Sequence, residues 1–124
     1  MIALFLALQA ATPAPVPPAD WSALPPLRLA ATPDYPALMT QFVRGEVAAG
    51  RCPAPGKTSI AIDMVILVSP SGDAIRIVPH AINCPTVEQF AAGVVQKAMR
   101  GNWAGAPPAS DSWYRTGMTI SWGS

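Results

Sequence analysis

The chain holds one histidine, His80, placed in a loop directly after Pro79. A general base needs a neighbour to orient it and a reacting atom within reach. No Glu or Cys stands at ligand spacing from His80, so it reads as a solvated loop residue. The acids Asp34, Glu46, Asp63, Asp73, Glu88 and Asp111 are scattered singly. No two of them share a motif that would drive their pKa values apart, as acid/base pairs require. Ser69 and Ser71 lie in a Pro/Gly turn without a nucleophile elbow around them. The segment Gly101-Asn-Trp-Ala-Gly105 is too sparse in glycine to cradle a phosphate. The residues therefore predict a protein that binds rather than catalyses, with no cofactor and no metal. A small hydrolase assembled from distant carboxylates, or an enzyme inhibitor, is the rival reading.

Cys52 and Cys84 are the only cysteines. With one distant histidine they cannot close a tetrahedral zinc shell. In an exported protein two cysteines predict a disulfide; two separate buried thiols are the plainer alternative. The N-terminus supplies the export signal. Residues 2–8 are an unbroken apolar run, and small residues follow at Ala10 and Ala11. This pattern predicts that residues 1–10 act as a signal peptide. The run is far shorter than the roughly 20 residues of a membrane span. The pattern predicts export.

Composition narrows the partners. Of 124 residues 51% are hydrophobic and 12% charged, with net charge +1. That suits one domain with a real core. It supplies no basic stripe for nucleic acid and no polybasic or acidic tail.

The elements follow from periodicity. Residues 11–32 are rich in Pro and Ala and predict an extended tether. Trp21, Leu24, Leu27 and Leu29 interrupt it, so its second half is expected to lie against the domain of residues 33–124. A helix is predicted after Pro36, with Leu38, Phe42 and Ala49 on one face and Met39, Val43 and Val47 beside it, closed by Gly50. Ser59 to Val68 is the clearest strand, apolar on both faces in its later half, as a central strand is. The turn Ser69-Pro-Ser-Gly-Asp73 leads to a second strand with Ile75 and Ile77 inward and Arg76 outward, ended by Pro79. A second helix opens at Pro85 or Thr86, with Thr86 and Gln89 as a capping box and Val87, Phe90, Ala91, Val94 and Ala98 as its buried stripe. The last strand runs from Trp113 to Trp122, with Tyr114, Met118, Ile120 and Trp122 on one face. The fold class is α+β: a two-layer sandwich, α-β-β-α-β, with a three-stranded antiparallel sheet of order 2-1-3 and both helices on one face.

The ordered pattern from Pro33 to Trp122 resembles the C-terminal domain of the TonB family of energy transducers. Asp34-Tyr35-Pro36 resembles the family's Tyr-Pro opening, and Arg44-Gly45-Glu46-Val47 its Gly-x-Val segment. Val65 through Asp73 is similar to its strand and turn with a central glycine, and Pro85 to Arg100 stands where its helix stands. Ile120-Ser121-Trp122 resembles its terminal strand. The resemblance implies a soluble periplasmic relative from a Gram-negative envelope. It also implies recognition of an extended peptide, such as an outer-membrane transporter segment, by strand addition to a sheet edge.

In a 2-1-3 sheet the last strand keeps one unpaired side. It has no proline between Trp113 and Trp122, and Arg115 is its only charge. The expected binding residues are Trp113, Arg115, Gly117 and Thr119, with a second copy of the chain as the other occupant of that edge. A structural or envelope-assembly protein that binds through its Pro-rich leader is the alternative function.

Overall fold

The computed structural model describes residues 16–52 and 59–122. Two helices, α1 (Tyr35–Ala48) and α2 (Pro85–Met99), pack on one face of a sheet made from β1 (Ser59–Val68), β2 (Ala74–Pro79) and β3 (Ser112–Ser121). The sheet is antiparallel throughout, in the order β2-β1-β3, as the sequence predicts. The signal-like residues 1–10 lie outside the described residues.

The strand alternation of β1 sends Ile62, Met64, Ile66 and Val68 toward the helices. There they meet Met39 and Val43 of α1, Val87, Ala91, Val95 and Met99 of α2, and Met118 and Ile120 of β3. Each fully buried side chain of this size stabilises the fold by about 1.5–3 kcal/mol. Tyr114 and Trp122 lie on the same face as Met118 and Ile120 and pack against the cluster.

The helix ends follow from local chemistry. The Asp34 carboxylate accepts the Ala37 N–H at 3.1 Å and caps α1. At the other end Gly50 adopts φ 77°, so the Arg51 N–H reaches Glu46 O and the Gly50 N–H reaches Val47 O. This double bond pattern closes the helix on a left-handed residue, where glycine has no Cβ to clash. The first turn of α2 is tied differently from the expected Thr86–Gln89 box. Cys84 is its N-cap, and Glu88 Oε2 accepts the Cys84 N–H at 3.2 Å and the Ile82 N–H at 2.9 Å.

Three details of side-chain placement correct the sequence reading. Leu38 is 53% exposed, because α1 buries Met39, Val43 and Glu46 instead. Phe90 is also outside the core stripe of α2, which runs through Val87, Ala91, Val95 and Met99. Phe90 stacks on Phe42 at 4.1 Å between ring centroids, so the two rings shield each other at the helix–helix seam. Ile75, expected inward, is 51% exposed. The register shifts there: Arg76 faces Leu67 and Ala74 faces Val68, leaving Ile75 as the extra residue of a β-bulge.

Cys52 and Cys84 form the expected disulfide, with Cα atoms 4.9 Å apart. It joins the loop after α1 to the N-cap of α2, and both cysteines are buried.

Candidate functional site

The β1–β3 register is unbroken from Ser59↔Ser121 to Val68↔Ser112. Arg115 donates its backbone N–H to Pro25 O at 2.9 Å and accepts the Leu27 N–H at 2.8 Å, so its main-chain groups point away from β1. In an antiparallel ladder this direction repeats every second residue. Gly117 and Thr119 therefore also turn their N–H and C=O outward. Among the described residues neither has a backbone partner on that side.

The leader makes the partner of Arg115. Its single 3-10 turn, Trp21–Ala23, is capped by Asp20, which accepts the Ser22 N–H at 3.0 Å. Trp21 lies over the helix-free face of the sheet, edge-on to His80 with ring centroids 5.9 Å apart. The chain then passes the β3 edge, where Pro26 bridges Arg115 in parallel and Arg115 Nε–H donates to Leu24 O at 2.9 Å. Leu27 and Leu29 pack against the core on the helix side. Asn102 fixes this end: its side chain accepts the Ala31 N–H at 2.9 Å and donates to Ala31 O at 2.8 Å and to Ala98 O at 3.0 Å. The later half of the Pro-rich segment is thus a strap around the sheet edge. Asn102 was missed in the sequence; its position just past the Gly101 helix stop, with both donor and acceptor, was the only available signal.

Between strap and sheet lies a cleft of about 500 Å³, bounded by Trp21, Pro26 and Leu27 on one side and by Asp63, Arg115 and Gly117 on the other. Asp63 Oδ1 sits 2.9 Å from where a Cβ on Gly117 would be. Among the described residues the Asp63 carboxylate has no hydrogen-bond or ion-pair partner. Deeper on this face Val65 and Leu67 are buried, flanked in register by Val78 and Arg115 and by Arg76 and Trp113.

The four residues expected to bind a partner thus share the open-face side of β3. Trp113 is half-buried across from Leu67, Arg115 is engaged by the strap, and Gly117 and Thr119 are exposed. The other outer edge, β2, is guarded by its bulge at Ile75 and by Pro79, which has no N–H to offer.

Elsewhere the polar groups are occupied structurally. Ser69, Ser71 and Asp73 hydrogen-bond one another within the β1–β2 turn. Glu46 pairs with Arg51 at 2.8 Å beside the disulfide, and the bond from Arg51, then that from Thr86, holds its carboxyl below the ordinary glutamate value. Among the described residues no group of three His, Cys, Asp or Glu side chains is placed to hold a metal ion, and no helix is long and apolar enough to cross a membrane.

No family model, no curated protein and no solved structure matches this chain.

Proposed function

We propose that the protein is a periplasmic binding module that captures an extended segment of another protein by strand addition to β3, from Gly117 to Ser121. The observation that carries this reading is the row of outward main-chain groups at Gly117 and Thr119, directly beyond the point where the strap already pairs with Arg115. The strap already makes one isolated bridge to this edge at Arg115, which supports the reading; an incoming chain continues along the same side, drawing affinity from main-chain hydrogen bonds. The resemblance to TonB C-terminal domains supports the same mode, and implies an outer-membrane transporter segment as the partner. The disulfide supports an oxidising compartment. Binding through the Pro-rich leader is the alternative reading; it would use residues ahead of Leu27 and Leu29, which pack against the core.

The test is Thr119→Pro. Its N–H points away from β1, so proline removes one outward donor without cutting the ladder. The probe is a blocked heptapeptide of alternating threonine and valine. Wild type should bind it and protect the Gly117 and Thr119 amides from hydrogen exchange. The variant should fold, by circular dichroism, and lose at least tenfold in affinity. Equal affinity for both proteins removes β3 as the site.

A further inference from the structure

Resting on the strand-addition reading, we infer that the incoming strand presents a lysine or arginine opposite Gly117, where Asp63 receives it. Strand alternation fixes the geometry. Side chains of β3 at odd positions lie on the helix-free face, together with Asp63, Val65 and Leu67 of β1. A strand added outside β3 keeps the same alternation, so its residue paired with Gly117 projects onto that face. Its Cα lies about 5 Å from that of Gly117. Gly117 has no side chain to stand between the newcomer and Asp63, whose Oδ1 already occupies the space a Cβ on Gly117 would need, at 2.9 Å.

The chemistry of this spot is anionic and aromatic. The Asp63 carboxylate has no partner among the described residues and opens on the cleft that Trp21 walls. A cationic side chain entering there gains a charge-assisted hydrogen bond and lies within reach of an indole ring. Arg115, the cleft's other charge, makes no ion pair with Asp63 among the described residues; its Nε–H donates to Leu24 O at 2.9 Å. Because Pro26 pairs with Arg115, the added strand starts at Gly117, and the residue opposite Gly117 is the one nearest the strap. An acidic residue in that place would face Asp63 directly and be rejected.

Three blocked heptapeptides test this, each alternating threonine and valine, with lysine, glutamine or glutamate at both end positions, so that one of them stands opposite Gly117 in either strand direction. Titration of the oxidised full chain at low salt should rank them lysine, glutamine, glutamate. Each step should be about three- to tenfold, the range of a partly exposed ion pair supported by an aromatic ring. Asp63→Asn should collapse the ranking, and salt on the order of 0.5 M should compress it. Equal binding of all three peptides to wild type overturns the inference and leaves strand addition standing. A ranking that persists in Asp63→Asn overturns it as well. Binding of none of the three removes strand addition itself, and the basic-residue preference with it.

Discussion

Asp63 and Gly117 face each other across the β1–β3 ladder so closely that a Cβ on Gly117 would lie 2.9 Å from Asp63 Oδ1 and 3.4 Å from Ile62 O. Glycine inside a strand ordinarily costs stability, and alanine at a compatible backbone recovers about 0.4–1 kcal/mol through the unfolded chain. Here the Asp63 carboxylate opposes that gain. Gly117→Ala should recover little or none of it in the wild type, because the exposed Asp63 side chain must swing aside. In an Asp63→Ala background the same change should be more favourable. Urea denaturation of the four proteins measures the coupling. Additive effects would mean that Asp63 relaxes freely and that the two residues are independent.

The Cys52–Cys84 bridge closes a loop spanning 32 residues and pins the N-cap of α2. The chain-entropy relation gives such a loop about 3.5 kcal/mol. The double variant Cys52→Ala with Cys84→Ala should lose about that much in urea. The two sulfurs are bonded to each other, so the unreduced protein should take up no alkylating agent even when unfolded in urea. Two alkylated cysteines in unreduced native material would contradict the bridge.

How far the fold could be read from residues depends on the element. The strand pattern of 59–68 settled both its face and its central place, because period-two alternation leaves only one register that buries Ile62, Met64 and Ile66. The helices were legible as helices but not in phase. Around α1 apolar side chains occupy too wide an arc for spacing to choose between Leu38 and Met39; docking against β3 chose Met39. The bulge at Ile75 was invisible because nothing in Ala74-Ile-Arg-Ile77 marks a skipped partner. That the second half of the Pro-rich segment lies against the domain was legible from Leu27 and Leu29, but its path around the sheet edge was not. Prolines specify extended chain locally, but its placement depends on Arg115 and Asn102, 91 and 71 residues away in sequence from the groups they bind. Of the site, the parity of Trp113, Arg115, Gly117 and Thr119 was readable, whereas the contribution of Asp63 and Trp21 required the tertiary fold.

If the strap belongs to the domain, its leucines carry stability. Leu29 is half-buried against the core and bridges Trp103. Truncating it removes part of a large-to-small core penalty, so Leu29→Ala should cost about 1–2 kcal/mol. Val16, 77% exposed, is the control, and Val16→Ala should change the urea midpoint negligibly. In the same samples the Leu27 and Arg115 amides should exchange together, since each is half of one pairing. A silent Leu29→Ala would return residues 24–31 to the status of a loose tether.

Glu46 supplies a pH signature. Arg51 first, then Thr86, hydrogen-bond its carboxylate, and the folded-state pKa falls below the ordinary value of 4.5. A carboxyl depressed by folding binds more protons when unfolded, so stability rises with pH across its titration. Its contribution is therefore fully present above about pH 5 and is lost as the pH falls through the folded-state value. Glu46→Gln removes the charge while keeping the shape. Wild type should exceed the variant in stability at pH 7, and the difference should shrink steadily between about pH 5 and pH 2. Urea midpoints of both proteins at four pH values across that range provide the measurement. A difference that stays constant with pH would show that Glu46 acts through packing beside the disulfide rather than through its charge on Arg51.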